Sequence, residues 1–108
     1  IAIDVEDVND SSARTANLTA EQRTDYVIAF CERIESAGYT PMIYGNLKSY
    51  CDMLDMERLN EYDKWFAFYD TYVYFPYEIT MWQYTDSGVV NGVEGNVDLN
   101  ITFTNKYE

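Results

Sequence analysis

The stretch Ile1-Ala2-Ile3-Asp4-Val5-Glu6 decides how this chain is interpreted. Its apolar start, followed by carboxylates that alternate with a valine, predicts a buried β-strand that ends in two acids. Residues two apart on a strand point to the same face, roughly 6.5–7 Å apart, so Asp4 and Glu6 should project together. A carboxylic acid beside a carboxylate is the pair that acid-catalysed cleavage of a sugar linkage needs. The alternative is a solvated strand end in an acid-rich chain.

Composition indicates one folded domain and excludes several classes of function. The 108 residues suffice for a single core, and a content of 47% hydrophobic and 17% aromatic residues argues against disorder. The net charge of −12 repels phosphate backbones, so we expect no nucleic-acid partner. Apolar stretches fall short of the ~18 residues of a membrane span, so we expect no membrane partner. There is no basic-then-apolar leader, and we expect any export signal to be absent or already removed.

The side chains available for chemistry narrow the choice further. The chain has no histidine, which excludes Ser-His-Asp and Cys-His mechanisms and a His-ligated zinc site. No glycine loop of the phosphate-binding type is present, and we expect no cofactor and no metal. A cation site built from oxygens of residues 4–10 is an alternative, although the spacing differs from an EF-hand loop. For Cys31 and Cys51 we expect two buried thiols, with a disulfide as the alternative.

The first half of the chain predicts a strand–helix–strand unit. Residues 19–22 read Thr-Ala-Glu-Gln, a capping box that begins a helix, and Gly38 is a plausible stop. Between them, apolar residues at positions 27, 30, 31 and 34 have the spacing of an amphipathic helix. Residues 41–44 predict the next strand, ended by Gly45-Asn46. A βαβ unit requires its two strands to be parallel.

The second half predicts mostly strands. Short helices are expected near residues 47–54 and 56–60, followed by strands at 64–69, 78–84 and 97–101. The Tyr-rich link before residue 78 is too short for a packed crossover helix. Asn91-Gly92, flanked by valines, predicts a hairpin between Gly88 and Gly95. The expected fold class is therefore α/β, in the order β-α-β-α-β-β-β, and Asp98 is an acid inside an otherwise apolar strand.

Five segments together carry a resemblance to a known family. They are Ile3-Asp4-Val5-Glu6, Met42-Ile43-Tyr44-Gly45-Asn46, Trp65-Phe66-Ala67-Phe68-Tyr69, Met81-Trp82-Gln83-Tyr84-Thr85 and Gly92-Val93-Glu94-Gly95-Asn96-Val97-Asp98-Leu99-Asn100. In this order they resemble glycoside hydrolase family 25, the Chalaropsis-type lysozymes, which are N-acetylmuramidases of bacteria, phages and fungi. The resemblance runs over nearly the whole chain.

The resemblance implies a partial fold. Family members form a modified TIM-like (β/α)5(β)3 barrel nearly twice as long as this chain. Residues 1–108 would be the C-terminal portion of that catalytic domain, carrying its last five strands, while the first three strands, their helices and one pocket acid are absent. A partial barrel has two bare strand edges. We therefore expect a fragment, or a companion chain or second copy that supplies the missing strands.

The resemblance also implies a substrate and a set of site residues. The family cleaves the β-1,4 bond between N-acetylmuramic acid and N-acetylglucosamine in bacterial cell-wall peptidoglycan, which implies a protein that is secreted, cell-wall associated or released from a phage-infected cell. Glu6 would be the general acid. Asp4 would assist the substrate's N-acetyl group, with the role of nucleophile as the alternative. The sugar-binding residues would be Tyr44, Asn46, Tyr69, Trp82 and Gln83.

Several of these functional assignments have purely structural alternatives. Asp98 maps onto a pocket acid of the family, but it could cap a turn or pair with Lys64 or Arg58. The strand aromatics could pack in the core, and the tyrosines at positions 72, 74 and 77 could form a sugar-stacking rim or an ordinary loop. At the level of function, the alternatives are a non-catalytic carbohydrate-binding module and an inactive fragment that needs a complementing N-terminal half.

Overall fold

The computed structural model describes residues 1–107 as a mixed α/β fold built on one sheet. The strands are β1 (Ala2–Val5), β2 (Met42–Asn46), β3 (Asp63–Ala67), β4 (Met81–Gly88) and β5 (Val97–Thr102). Helix α1 spans Ala20–Ser36, and a π-helical turn (Ser49–Met53) and a 3₁₀ turn (Met56–Leu59) follow β2. The predicted α/β class is confirmed.

The five strands lie in the sheet in the order in which they occur along the chain. Strands β1 to β4 are parallel, and β5 is antiparallel to β4. The predicted parallel pairing of the first two strands across α1 is therefore confirmed. Because consecutive strands are neighbours, every polar residue at a strand's carboxyl end in β1 to β4 lies at the same edge of the sheet.

Helix α1 has the predicted start and stop. The Thr19 hydroxyl accepts from the Gln22 amide at 3.1 Å, and the Gln22 side chain accepts from the Thr19 amide at 3.0 Å, which completes the capping box. Gly38 follows the helix at φ +84°, a conformation that favours glycine. Cys31 is buried on the inner face of α1, whereas Cys51 is exposed, so the prediction of two free thiols is confirmed but that of two buried ones is wrong for Cys51.

The link between β3 and β4 replaces a crossover helix with aromatic packing. Residues 68–80 contain no helix, in agreement with the prediction that the link is too short for one. The Phe75 ring stacks on Phe66 of β3 with a centroid distance of 4.3 Å, and Val73 and Ile79 also pack against the core. The link therefore covers the sheet as a helix would, with fewer residues.

The predicted hairpin joins β4 to β5 through a longer loop than expected. Gly92 adopts φ +91°, and the Val93 amide donates to the Val90 carbonyl at 3.0 Å, so Asn91-Gly92 does form a turn. The strands pair only from Gly88 and Val97 onward. The Asn-Gly turn is thus the tip of an eight-residue loop spanning residues 89–96. The flanking valines are exposed and belong to neither strand.

The two faces of the sheet carry different kinds of side chain. One face packs against α1 and the helical turns, and its central residues Val5, Ile43 and Phe66 are at most 6% exposed. Because side chains alternate along a strand, their neighbours in sequence point to the opposite face. That second face carries the acids of β1 and several aromatic and amide side chains of β2 to β5.

Gly45 allows the chain to turn sharply from β2 into the following helical turn. A Cβ atom at this position would lie 2.8 Å from the Ser49 Cβ and 3.3 Å from the Val5 carbonyl oxygen. The free space lets the Ser49 hydroxyl donate to the Val5 carbonyl at 2.5 Å. This buried hydrogen bond ties the end of β1, where the acids lie, to β2.

We expect Gly45→Ala to lower the free energy of unfolding by about 1–3 kcal/mol, because the added methyl group forces Ser49 away from β1. Urea denaturation of both proteins measures the difference. The exposed Glu32→Ala on α1 is the control and should change stability by no more than about 0.5 kcal/mol. Equal effects of the two substitutions would contradict the close approach at Gly45.

Candidate active site

The second face of the sheet forms an open groove made of two adjoining cavities. The first, of about 410 Å³, is lined by Ala2, Asp4, Glu6, Tyr44, Trp65, Gln83 and Asp98. The second, of about 570 Å³, is lined by Glu6, Tyr44, Asn46, Leu47, Lys48, Ala67, Phe68 and Tyr69. Glu6 and Tyr44 line both cavities, so they stand at the middle of the groove.

The acids of β1 reach the groove because the residue between them is held in the core. Val5 is 6% exposed and packs against the residues below the sheet, whereas Asp4 and Glu6 are exposed on the other side. Asp4 lies opposite Tyr44 in the parallel register of β1 and β2. Asp4 in β1 and Glu6, which directly follows the strand, thus both face the groove.

The environment of Glu6 favours its protonated form. Partial loss of solvent around its carboxyl raises the pKa of Glu6, and the neighbouring negative charge of Asp4 raises it further. A carboxylic acid that retains its proton at higher pH can donate that proton to a bound group. The groove therefore has a candidate acid with a carboxylate two residues away.

A buried amide joins the tyrosines of the groove. Gln83 is 2% exposed, and its Oε1 accepts from the Tyr44 hydroxyl at 2.7 Å and from the Tyr69 hydroxyl at 3.0 Å. Burial raises the pKa of both tyrosines, and the nearby Glu6 adds to the effect. Both hydroxyls therefore remain protonated at neutral pH and donate to Gln83.

Asp98 lies on β5, exposed to solvent, and lines the same cavity as Asp4 and Glu6. Lys64 and Arg58, the two residues considered as alternative ion-pair partners of Asp98, interact with other groups. The Lys64 ammonium is buried and donates to the carbonyls of Leu59 and Tyr62, and Arg58 pairs with Asp25.

Asn46, the other amide predicted to bind sugar, stabilises the turn after β2 and also lines the groove. It ends β2, and its Oδ1 accepts from the Ser49 amide at 3.0 Å. This arrangement caps the helical turn that follows. Asn46 also lines the second cavity, at the same edge as Tyr69.

Trp82 does not join the other predicted sugar-binding residues. It is adjacent to Gln83 on β4, and Gln83 faces the groove, so strand alternation directs Trp82 to the opposite face. There the indole nitrogen donates to the Phe68 carbonyl at 2.7 Å, and the ring packs near Tyr84. A prediction that placed both Trp82 and Gln83 in one groove conflicts with the pleat of the strand.

Trp65 is an aromatic groove residue that the sequence prediction did not select. It pairs with Tyr44 across β2 and β3, its ring meets the Tyr44 ring edge-on at 4.9 Å, and its indole nitrogen donates to Asn100 Oδ1 at 2.7 Å. Alternation along Trp65-Phe66 could have identified it, because Phe66 is an obvious core residue.

Other kinds of site receive no support in the part of the chain that the structure describes. Within residues 1–107, no group of three or more cysteine or acidic side chains is arranged to hold a metal ion. None of the helices in that range is long and apolar enough to cross a membrane.

Comparison with sequence models of known protein families gives a match over most of the chain. The sequence model described as glycosyl hydrolases family 25 matches residues 1–93, which is most of the chain. A comparison with curated protein sequences finds no significant match.

Solved structures also resemble the chain. The CTP1L endolysin superposes with a TM-score of 0.73 at 23% identity over 98% of this chain, and the autolysin LytC from Streptococcus pneumoniae with 0.71 at 21% over 92%. The spore cortex lytic enzyme SleM from Clostridium perfringens gives 0.69 at 29% identity over 92%. The chain spans 35%, 24% and 35% of the CTP1L, LytC and SleM chains, respectively, so it corresponds to about a third of such proteins or less.

We expect Asp4→Asn to lower the pKa of Glu6 by about half a unit, because the substitution removes a like charge roughly 7 Å away. Carbon-13 NMR titration of the Glu6 carboxyl in this chain measures the shift. Asp55→Asn makes the same chemical change outside the groove and should leave the titration of Glu6 unaltered. A Glu6 pKa that stays constant or rises in Asp4→Asn would contradict the coupling.

Proposed function

The chain belongs to glycosyl hydrolase family 25, and from this premise we propose that it is part of the catalytic domain of a lysozyme-type peptidoglycan hydrolase. The observation that carries the proposal is the pair formed by Asp4 in β1 and Glu6 directly after it, which faces a groove that also contains an amide and aromatic rings. SleM, at 29% identity, is described as a spore cortex lytic enzyme, which agrees with a cell-wall substrate.

The proposed reaction is cleavage of the β-1,4 bond between N-acetylmuramic acid and N-acetylglucosamine. Glu6 donates its proton to the glycosidic oxygen as the bond from that oxygen to the sugar carbon breaks. The raised pKa of Glu6 supports this role, because an acid that has already lost its proton cannot act. The resulting Glu6 carboxylate then accepts a proton from the water that completes hydrolysis.

Asp4 is proposed to act on the substrate's own N-acetyl group. The acetamido oxygen attacks the sugar carbon as the leaving group departs, and a carboxylate beside the acetamido N–H orients it and stabilises the positive charge that develops. Water then attacks the same carbon and breaks its bond to the acetamido oxygen, which releases the product. The position of Asp4 two residues before the acid supports this assignment. Direct attack by Asp4 on the sugar is the alternative.

The other groove residues are proposed to bind and orient the glycan. Asp98 faces the cavity from β5 and is proposed as a further pocket acid, while the Tyr44, Tyr69 and Trp65 rings offer flat surfaces on which sugars can stack. Asn46 can offer its amide nitrogen, because its oxygen is engaged by Ser49.

We propose that residues 1–108 are the C-terminal portion of a (β/α)5(β)3 barrel. The sheet has two outer strands, β1 and β5, and the chain spans about a third of its structural relatives or less. The proposal includes a remaining part of the barrel, supplied by the same polypeptide, a companion chain or a second copy. Action on the cell wall implies a protein that is secreted, wall-associated or released from an infected cell.

A turbidity assay on bacterial cell walls tests the proposal. The chain is assayed alone, and then with the part of SleM that it does not cover co-expressed as a separate polypeptide. Clearing in either arm supports a hydrolase, and clearing only in the second arm supports a complementing half. Binding without clearing in both arms would favour a carbohydrate-binding module instead.

In whichever arm clears, we expect Glu6→Gln to reduce the rate of clearing at least about 100-fold, because glutamine cannot donate a proton to the leaving oxygen. Glu57→Gln, an exposed acid on the 3₁₀ turn, is the matched control and should retain the parent rate. Circular dichroism checks that both variants fold. Activity of Glu6→Gln within tenfold of the parent would remove Glu6 from the role of acid.

A further inference from the structure

Gln83 has a position that direct contact with a glycan does not explain. Its side chain is 2% exposed, and both tyrosine hydroxyls that reach it contact the same atom, Oε1, at 2.7 and 3.0 Å. An amide oxygen only accepts hydrogen bonds. In this arrangement Tyr44 and Tyr69 each direct their single hydroxyl proton toward Gln83.

Glu6 is the second acceptor considered for the Tyr44 proton, because the two residues line the same two cavities. Tyr44 lies on the strand next to β1, opposite Asp4, and lines both cavities together with Glu6. Tyr69 is 52% exposed, so its hydroxyl can donate to water, whereas the Tyr44 ring is half-buried against Trp65. Tyr44 is therefore the hydroxyl whose direction matters for Glu6.

The direction of that proton affects the chemistry proposed for Glu6. A hydrogen bond donated to a carboxylate stabilises its ionised form and lowers its pKa. A general acid needs the opposite, since it must hold a proton until the substrate is bound. A different acceptor for the Tyr44 hydroxyl would leave Glu6 without this hydrogen bond, so the carboxyl of Glu6 would keep its proton to higher pH.

We propose that Gln83 is a positioning residue that holds the Tyr44 hydroxyl proton away from Glu6, so that Glu6 remains available as an acid. The inference rests on the role proposed for Glu6 and deepens it. Gln83 acts through Tyr44, with no contact to the reacting atoms.

Other charged and titratable groups also face Glu6, and most have partners. They are Asp4 on β1, Asp98 on β5, Tyr69 on the β3–β4 link, and Asp7, Arg23 and Lys48 around the carboxyl end of β1. Lys48 pairs with Asp7, and Arg23 donates to the carbonyls of Thr15, Leu18 and Met53. These groups are the same in every variant of the test below, so they do not obscure the effect of Gln83.

Carbon-13 NMR titration of the Glu6 carboxyl in this chain tests the proposal. Gln83→Met keeps the length of the side chain and removes the acceptor, and we expect the pKa of Glu6 to fall by about one unit. Tyr44→Phe alone should leave that pKa near the parent value, because its hydroxyl proton already points elsewhere. The double variant Gln83→Met/Tyr44→Phe should return the pKa to the parent value. No fall in Gln83→Met, or a fall that persists in the double variant, would overturn the proposal.

A second substitution keeps the proposal testable if Gln83→Met does not fold. Gln83→Glu retains an acceptor for the Tyr44 hydroxyl, and the pKa of Glu6 should then stay at or above the parent value. A lower pKa in Gln83→Glu would overturn the proposal, because the acceptor is still present. The titration requires no hydrolysis, so its outcome is independent of whether Glu6→Gln abolishes clearing of cell walls.

Discussion

The burial of alternate residues on one face of the sheet is the constraint on which the site depends. Val5, Ile43 and Phe66 pack against α1 and the turns that follow β2, and each is almost completely removed from solvent. A shift of one residue in register would place the acids of β1 in the core and would expose these apolar side chains. The packing energy of the core therefore determines which side chains line the groove.

The groove also shows how a carboxyl group with a raised pKa is maintained at a cost in stability. The folded chain raises the pKa of Glu6, so it binds that proton more tightly than the unfolded chain does. As pH rises from the unfolded-state pKa to the raised folded-state value, Glu6 makes a decreasing contribution to the free energy of unfolding. Below the unfolded-state pKa, Glu6 is protonated in both the folded and the unfolded chain, and the penalty for ionising it in the folded chain is absent. The core beneath the sheet has to offset the penalty at neutral pH.

Local signals in the sequence predicted the framework well, while contacts between distant segments were harder to predict. The capping box at Thr19 and the apolar spacing of α1 depend on neighbours in sequence, and both were predicted. The position of the Asn-Gly turn was predicted too, but the loop length was not, because it depends on where β4 and β5 begin to pair. Trp82 was assigned to the groove and Trp65 was omitted for the same reason: strand alternation has to be anchored on a core residue such as Phe66. The shared acceptor at Gln83 joins β2, the β3–β4 link and β4. No sequence pattern within any one of these segments predicts that contact.

The two outer strands have a further consequence for the behaviour of the chain in solution. In the described part of the chain, β1 pairs only with β2 and β5 only with β4, so each leaves a row of backbone donors and acceptors without strand partners. The two edges differ in direction and side chains, so joining one to the other between copies is a heterologous contact, which closes into a ring or extends into a filament according to the rotation between the copies. The net charge of −12 opposes such growth by mutual repulsion. High ionic strength screens that repulsion, which makes dilute, low-salt buffer the condition under which the chain is best kept dispersed.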